Sequence, residues 1–156
     1  MPRPDLARAA IGGILAGLAA GAVMNGFQAV WSEITGKKSD GEPTTVKAAD
    51  KLAEATTGDK VAETYRKAAD PAVHYATAGA LGLIYGLAAE ADWPVTSGFG
   101  TLFGAATAAV LDEGLVPLLG LAPPPTETPL ATHAYGVASH VVFGGALEAA
   151  RGLLRG

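Results

Sequence analysis

The sequence predicts an all-α, polytopic membrane protein: a four-helix transmembrane bundle with a short amphipathic helical connector between its first and second spans. Three observations lead there. Charge is segregated, because 14 of the 26 Lys, Arg, Asp and Glu fall within residues 35–70 and only 12 are spread over the other 120. Those 120 residues contain four charge-free windows, 9–32, 71–89, 93–111 and 128–147, each 19 to 24 residues long. A hydrocarbon core of about 30 Å, crossed at about 1.5 Å per residue, takes about 20 residues, so each window is the right length to span. Mean hydropathy is only +0.29, yet the chain holds 21 Gly. Small residues suit membrane helix interfaces, where lipid supplies no hydrophobic drive and close backbone approach supplies the packing. A soluble Ala-rich bundle would show a polar face on each helix, and these windows show almost none.

The first helix covers about 7–33. Arg3 and Arg8 ahead of an apolar run, with Ala20, Gly21 and Ala22 after it, also fit a cleavable leader, but the run continues to Trp31 and favours a span. Gly13, Gly17 and Gly21 form two overlapping GxxxG steps and a flat face for a partner. Asn25, Gln28 and Ser32 add a polar row near the far end, either interhelical hydrogen bonders or part of a site. Residues 35–70, with seven basic and seven acidic side chains, form the connector. In it Pro43, Thr44 and Thr45 open a short helix that Gly58 closes, and a second short helix from Lys60 is expected to stop at Pro71.

The second span covers about 72–90, with Gly82 and Gly86 four apart and His74, Leu81 and Tyr85 on one stripe. The third covers about 96–115, through Gly100 and Gly104 to Asp112 and Glu113. Pro117 cannot donate to the carbonyl of Glu113, so a kink or a stop is expected there. A proline-rich loop, residues 120–129, leads to the fourth span, about 130–150, which carries His133, His140 and Glu148. The whole chain, 1–156, reads as one transmembrane domain.

Four spans put both termini on one side, side A, and the connector with the proline loop on the other, side B. Helices one and three end at side B where helices two and four begin, so His74, Asp112, Glu113 and His133 gather there, with His140 about 10 Å deeper. Ionisable groups in a bilayer are costly and mark function, so these five residues are the candidate polar site for protons or a cation. Asp112, His74 and His133 are expected to form one hydrogen-bonded or metal-bridged cluster. His133 and His140 lie too far apart to share one ion, so a mononuclear metal would need one of them with His74 and Asp112 or Glu113. A haem between His74 and His140 has no attachment motif behind it. Which cofactor, if any, the chain takes is left open by the sequence.

An internal repeat pairs residues 82–90, GLIYGLAAE, with 140–148, HVVFGGALE, so that aromatic, Gly and terminal Glu coincide. Two hairpins related by an axis along the membrane normal would follow. Net charge of -4 with no basic stripe excludes nucleic acid as a partner. The absence of Cys removes thiolate nucleophiles and Cys-based metal centres, and no nucleophile with a matched base stands out, which argues against an enzyme.

The pattern HYxxxGxxGxxYG from His74 to Gly86, and the stretch from Asp112 through Pro117, Gly120, Pro124, His133 and His140 to Arg151, resemble the YagU-like bacterial inner-membrane proteins, a family of unknown function. The resemblance implies a small multi-pass inner-membrane protein and carries over no site residues. Lys and Arg number four on side A and seven on side B, which by itself would put side B in the cytoplasm. The arginines flanking the first and last helices, and the resemblance, favour cytoplasmic termini. Two functions are expected from different classes. One is proton or cation binding, sensing or transport at the polar site. The other is a structural or accessory subunit packing as a homo-oligomer or in a larger membrane complex, with membrane lipid around it in both cases.

Overall fold

The computed structural model describes residues 5–36, 41–91 and 94–155. Arg3, Asp92 and Trp93, which the sequence places near side A, lie outside the described residues. Among the described residues the regular structure is all helix, with no strand. Helix α1 is Leu6–Thr35, α2 is Thr44–Thr57 and α3 is Glu63–Glu90. Helix α4 is Thr101–Leu118 and contains one widened turn, and α5 is Leu130–Arg155. Three of these, α1, α3 and α4, are long and apolar enough to cross a membrane. Helix α5 has the length, but His133, His140, Glu148 and Arg151 make it less apolar.

Helix α1 packs on α3 and on α5, and α4 packs on α5, giving the order α3, α1, α5, α4. Two antiparallel seams of bare backbone hold this arrangement. In the first, Gly13 and Gly17 of α1 face Gly82 and Gly86 of α3 so closely that a Cβ on Gly82 would lie 2.7 Å from the Gly17 Cα, and one on Gly86 2.9 Å from the Gly13 Cα. Gly21 continues the seam against Ala78 and the His74 ring. In the second, a Cβ on Gly144 would lie 2.9 Å from the Gly104 nitrogen, and one on Gly104 2.8 Å from the His140 carbonyl carbon. Gly100 joins this seam at a positive φ of 76°. Gly86 and Gly144, paired by the sequence repeat, thus occupy equivalent places in two similar hairpins, and both repeat aromatics, Tyr85 and Phe143, are buried.

The interior is therefore small: Ala16, Ala20, Ala78 and Ala108 fill it together with Tyr85, Phe143 and Leu147. Large apolar side chains point outward instead, with Ile11 62%, Leu102 61%, Val110 65% and Leu130 82% exposed. In water that distribution would leave apolar surface uncovered on every side; in lipid it costs nothing and leaves close packing to the seams.

Three local expectations are corrected. Lys60 and Pro71 do not bound a separate short helix, because α3 runs unbroken from Glu63 to Glu90 with Pro71 inside it. Proline removes one backbone bond at that point, and contacts with α2 offset the loss: Asp70 accepts from the Thr45 hydroxyl, Asp50 accepts from Arg66 Nη1 at 3.1 and 3.2 Å, and Ala69 is buried. Arg66 also pairs with Glu42. The third span starts at Thr101 rather than near residue 96, since Gly98, Phe99 and Gly100 all take positive φ and cannot lie in a helix. The last helix extends past 150 to Arg155. The connector helix falls where Pro43 and Gly58 predict it, with Gly58 at φ 87° donating to the Glu54 carbonyl at 3.0 Å. It lies over side B, where Lys47 Nζ donates to the carbonyl of buried Leu121 at 3.3 Å.

Gly82→Ala and Gly144→Ala should each destabilise the protein by about 1–3 kcal/mol, because the added methyl meets backbone that cannot yield without parting the helices. Gly26→Ala, where a Cβ meets nothing within 4 Å, should be neutral or stabilising by up to about 1 kcal/mol. Thermal unfolding in mild detergent followed by circular dichroism measures all three.

Candidate functional site

The site begins with a proline. Pro117 has no N–H and its ring crowds the carbonyl four residues back, that of Glu113. Helix α4 meets this by widening: residues Leu111–Leu115 form a π-turn, with the Val116 N–H bonded to the Leu111 carbonyl five residues back. The helix then continues to Leu118 and ends at Gly120, φ 66°, whose N–H donates to the Pro117 carbonyl at 2.8 Å. The expected break at Pro117 is thus a bulge before it. Asp112 and Glu113 sit in the widened turn, and both reach α5. Turns of this kind recur at functional sites because they re-aim side chains without ending the helix.

Glu113 meets His133 and Asp112 meets His140. His133 Nδ1 lies 2.5 Å from Glu113 Oε1, while its Nε2 lies 3.1 Å from the Pro125 carbonyl and 3.2 Å from that of Thr128. Carbonyls only accept, so Nε2 must carry a proton. The contact between Nδ1 and the carboxylate then closes only if one more proton lies between them, on the ring or on the carboxyl. A pair placed in this way can hold one proton between ring and carboxylate. His140 is buried, its Nδ1 3.0 Å from the Gly136 carbonyl and 3.3 Å from Asp112 Oδ2. The Gly136 carbonyl takes the Nδ1 proton, and the Asp112 carboxylate stands beside the ring as its counter-charge. Asp112 reaches this position over Gly136, where a Cβ would lie 2.9 Å from Oδ2. The two pairs stand about 10 Å apart in depth along α5.

His74 belongs to neither pair. Its Nε2 lies 3.2 Å from the Gly21 carbonyl, and its ring meets Tyr75 edge-on at 5.1 Å. The expected union of His74 with Asp112 and His133 is corrected on this point. The physical reason is helix order: α3 packs on α1, so His74 meets α1, while the π-turn aims both carboxylates at α5. Among the described residues no group of three or more His, Asp or Glu could hold a metal ion. Asn25 of the polar row in α1 bonds across to the Tyr75 hydroxyl at 3.4 Å, the interhelical role open to it from sequence.

A third polar group was not grouped by sequence reasoning. Tyr85, fully buried, donates its hydroxyl to Glu148 Oε2 at 2.7 Å. Arg151 grips the same carboxylate through Nε at 2.8 Å and Nη2 at 2.7 Å, with its guanidinium 5.9 Å from the Tyr85 ring centre. The spacing of Glu148 and Arg151, three apart on a helix, was the available signal; nothing in the sequence joined Tyr85 to them. Glu148 lies about 12 Å along α5 from His140. Between them Phe143, Gly144 and Leu147 are buried, and Tyr85 meets Phe103 edge-on at 4.9 Å, which makes an apolar plug. Ser139, one residue before His140, is buried, and its Oγ has no hydrogen-bond partner among the described residues.

Double-mutant cycles should expose this pairing. Glu113→Gln with His133→Gln, and Asp112→Asn with His140→Gln, should each show a coupling of about 0.5–3 kcal/mol in thermal unfolding, whereas Asp112→Asn with His74→Gln should add to within about 0.5 kcal/mol. Coupling of His74 to Asp112 instead would restore the single cluster.

A scan against protein-family models, a search of curated proteins and a search of solved structures each found no match for this chain, so the geometry of the site is what speaks for its function.

Proposed function

We propose that this protein is a four-helix integral membrane protein that takes up and releases protons at the Glu113–His133 and Asp112–His140 pairs, reached from side B, in proton sensing or proton-linked transport. The observation that carries the reading is the π-turn, which sets two imidazole–carboxylate pairs at successive depths along one helix. Outward Ile, Leu and Val on all four long helices support α5 as a fourth span beside the other three. Its polar groups turn inward to partners, as buried ionisable groups in lipid must. Phe27, Trp31 and Tyr135, linked by ring contacts of 6.0 and 5.9 Å, fit an aromatic belt at the side B interface. A bacterial inner membrane with cytoplasmic termini is the placement that the likeness to YagU-like proteins implies.

The plug around Phe143 separates the side B pairs from the Tyr85–Glu148–Arg151 group. A proton therefore enters and leaves by side B in this state, and passage to side A requires the plug to part. One observation favours the accessory-subunit reading instead: Ala19, Ala22, Gly26 and Ala29 form an exposed stripe of small residues on α1, suited to a second copy or a larger membrane partner.

Infrared difference spectra of the protein in liposomes, taken between about pH 5 and 8, test the reading. A carboxyl band and an imidazole band should change together in the wild type, and the change should shrink in Glu113→Gln and again in Asp112→Asn. Spectra without a joint change, from a protein that purifies with a stoichiometric partner, would favour the accessory role.

A further inference from the structure

A cavity of about 680 Å³ opens at the side A end between α1, α3 and α5, on the opposite end from the imidazole pairs. Arg8, Arg151 and Arg155 line its rim, and Ile11, Leu15 and Leu154 line its apolar wall. The rim is not evenly neutralised. Arg151 is held by Glu148, and Arg155 Nη2 pairs with Glu90 at 3.2 Å. The remaining lining carboxylate, Asp5, accepts from the Arg8 N–H at 3.0 Å and so caps α1. The Arg8 guanidinium reaches only the Arg155 carbonyl, at 3.3 Å, and among the described residues pairs with no carboxylate. The three guanidiniums are matched in number by Asp5, Glu90 and Glu148, and Arg8 is the one that no carboxylate holds among the described residues.

The order of groups along α1 gives the shape of what would fill the space. Arg8, Ile11 and Leu15 share one helix face, so the wall changes from guanidinium to isobutyl-sized apolar surface about 4 to 5 Å and then about 10 Å deeper. Ile11 is 62% and Leu15 50% exposed, and Gly12, also lining the cavity, leaves open space where a side chain would be. An anion at the mouth with a hydrocarbon chain descending beside it matches this order. A free inorganic anion would leave the apolar wall unused.

We infer that this cavity binds the headgroup phosphate and upper acyl chain of one anionic phospholipid, with Arg8 as the phosphate-binding group and Arg155 beside it. The inference rests on the membrane placement proposed above, since a guanidinium at a helix end and apolar residues below it match a bilayer only in that placement.

The test is thermal unfolding of the delipidated full chain in a neutral detergent, with phosphatidylglycerol, phosphatidylcholine or inorganic phosphate added. Phosphatidylglycerol should raise Tm by roughly 5 °C at saturation, and the other two by much less. Arg8→Gln should lose at least half of that shift. Gly12→Leu, which fills open space and keeps every charge, should lose it while retaining wild-type helicity and unfolding without lipid. Equal shifts with all three additives, an undiminished shift in both variants, or a full shift from inorganic phosphate alone would overturn the lipid assignment. A chain that stays soluble and monodisperse without detergent would overturn the membrane placement itself, whereas a detergent-dependent chain with no lipid-specific shift would overturn only this site.

Discussion

Everything in this structure depends on backbone meeting backbone. At Gly17 and Gly82, and again at Gly104 and Gly144, two helices approach until no Cβ fits between them. Such contact gains dispersion along whole turns of helix and needs no large side chain, which frees the large apolar residues to face outward. The seams also fix register. Because each glycine sits against one particular carbonyl or Cα, a hairpin cannot slide by a turn without driving an Ala or Leu into the opposing backbone.

That register is what makes the polar pairs meet. The seam from Gly100 to Gly144 sets α4 against α5, and the π-turn ahead of Pro117 then corrects the aim of two neighbouring carboxylates. In an unbroken α-helix residues 112 and 113 would project about 100° apart, and both could not address the same partner helix so directly. A residue that weakens the helix thus creates the site, and Gly136, with no side chain, leaves room for Asp112 to reach past it to His140. The same logic of small residues making room for polar ones places His74 against the bare carbonyl of Gly21.

The sequence made the helices legible because charge-free length and glycine spacing are local properties. Every glycine it marked for packing, Gly13, Gly17, Gly21, Gly82, Gly86, Gly100 and Gly104, lies in one of the two seams. It also put Glu113 and His133, which meet, at the same end of the bundle, since up-and-down topology alone does that. Partner choice was not legible. Whether Asp112 meets His74 or His140 depends on which helices are neighbours and on a one-residue widening at a proline, and neither is written in spacing. Pro71 shows the same limit: two prolines look alike in sequence, yet one is absorbed in α3 by contacts with the connector and the other remodels α4. Tyr85 stayed hidden among apolar residues because its partner is 63 residues away.

The central claim is that each carboxylate of the π-turn serves its own imidazole. With only three His in the chain, nitrogen-15 spectra of selectively labelled histidine in lipid bilayers test it directly. The structure requires that Glu113→Gln move the ring signals of His133 and leave His140 and His74 in place, and that Asp112→Asn move those of His140 alone. A shift of the His74 ring on Asp112→Asn, or no shift of any ring in either variant, would contradict it.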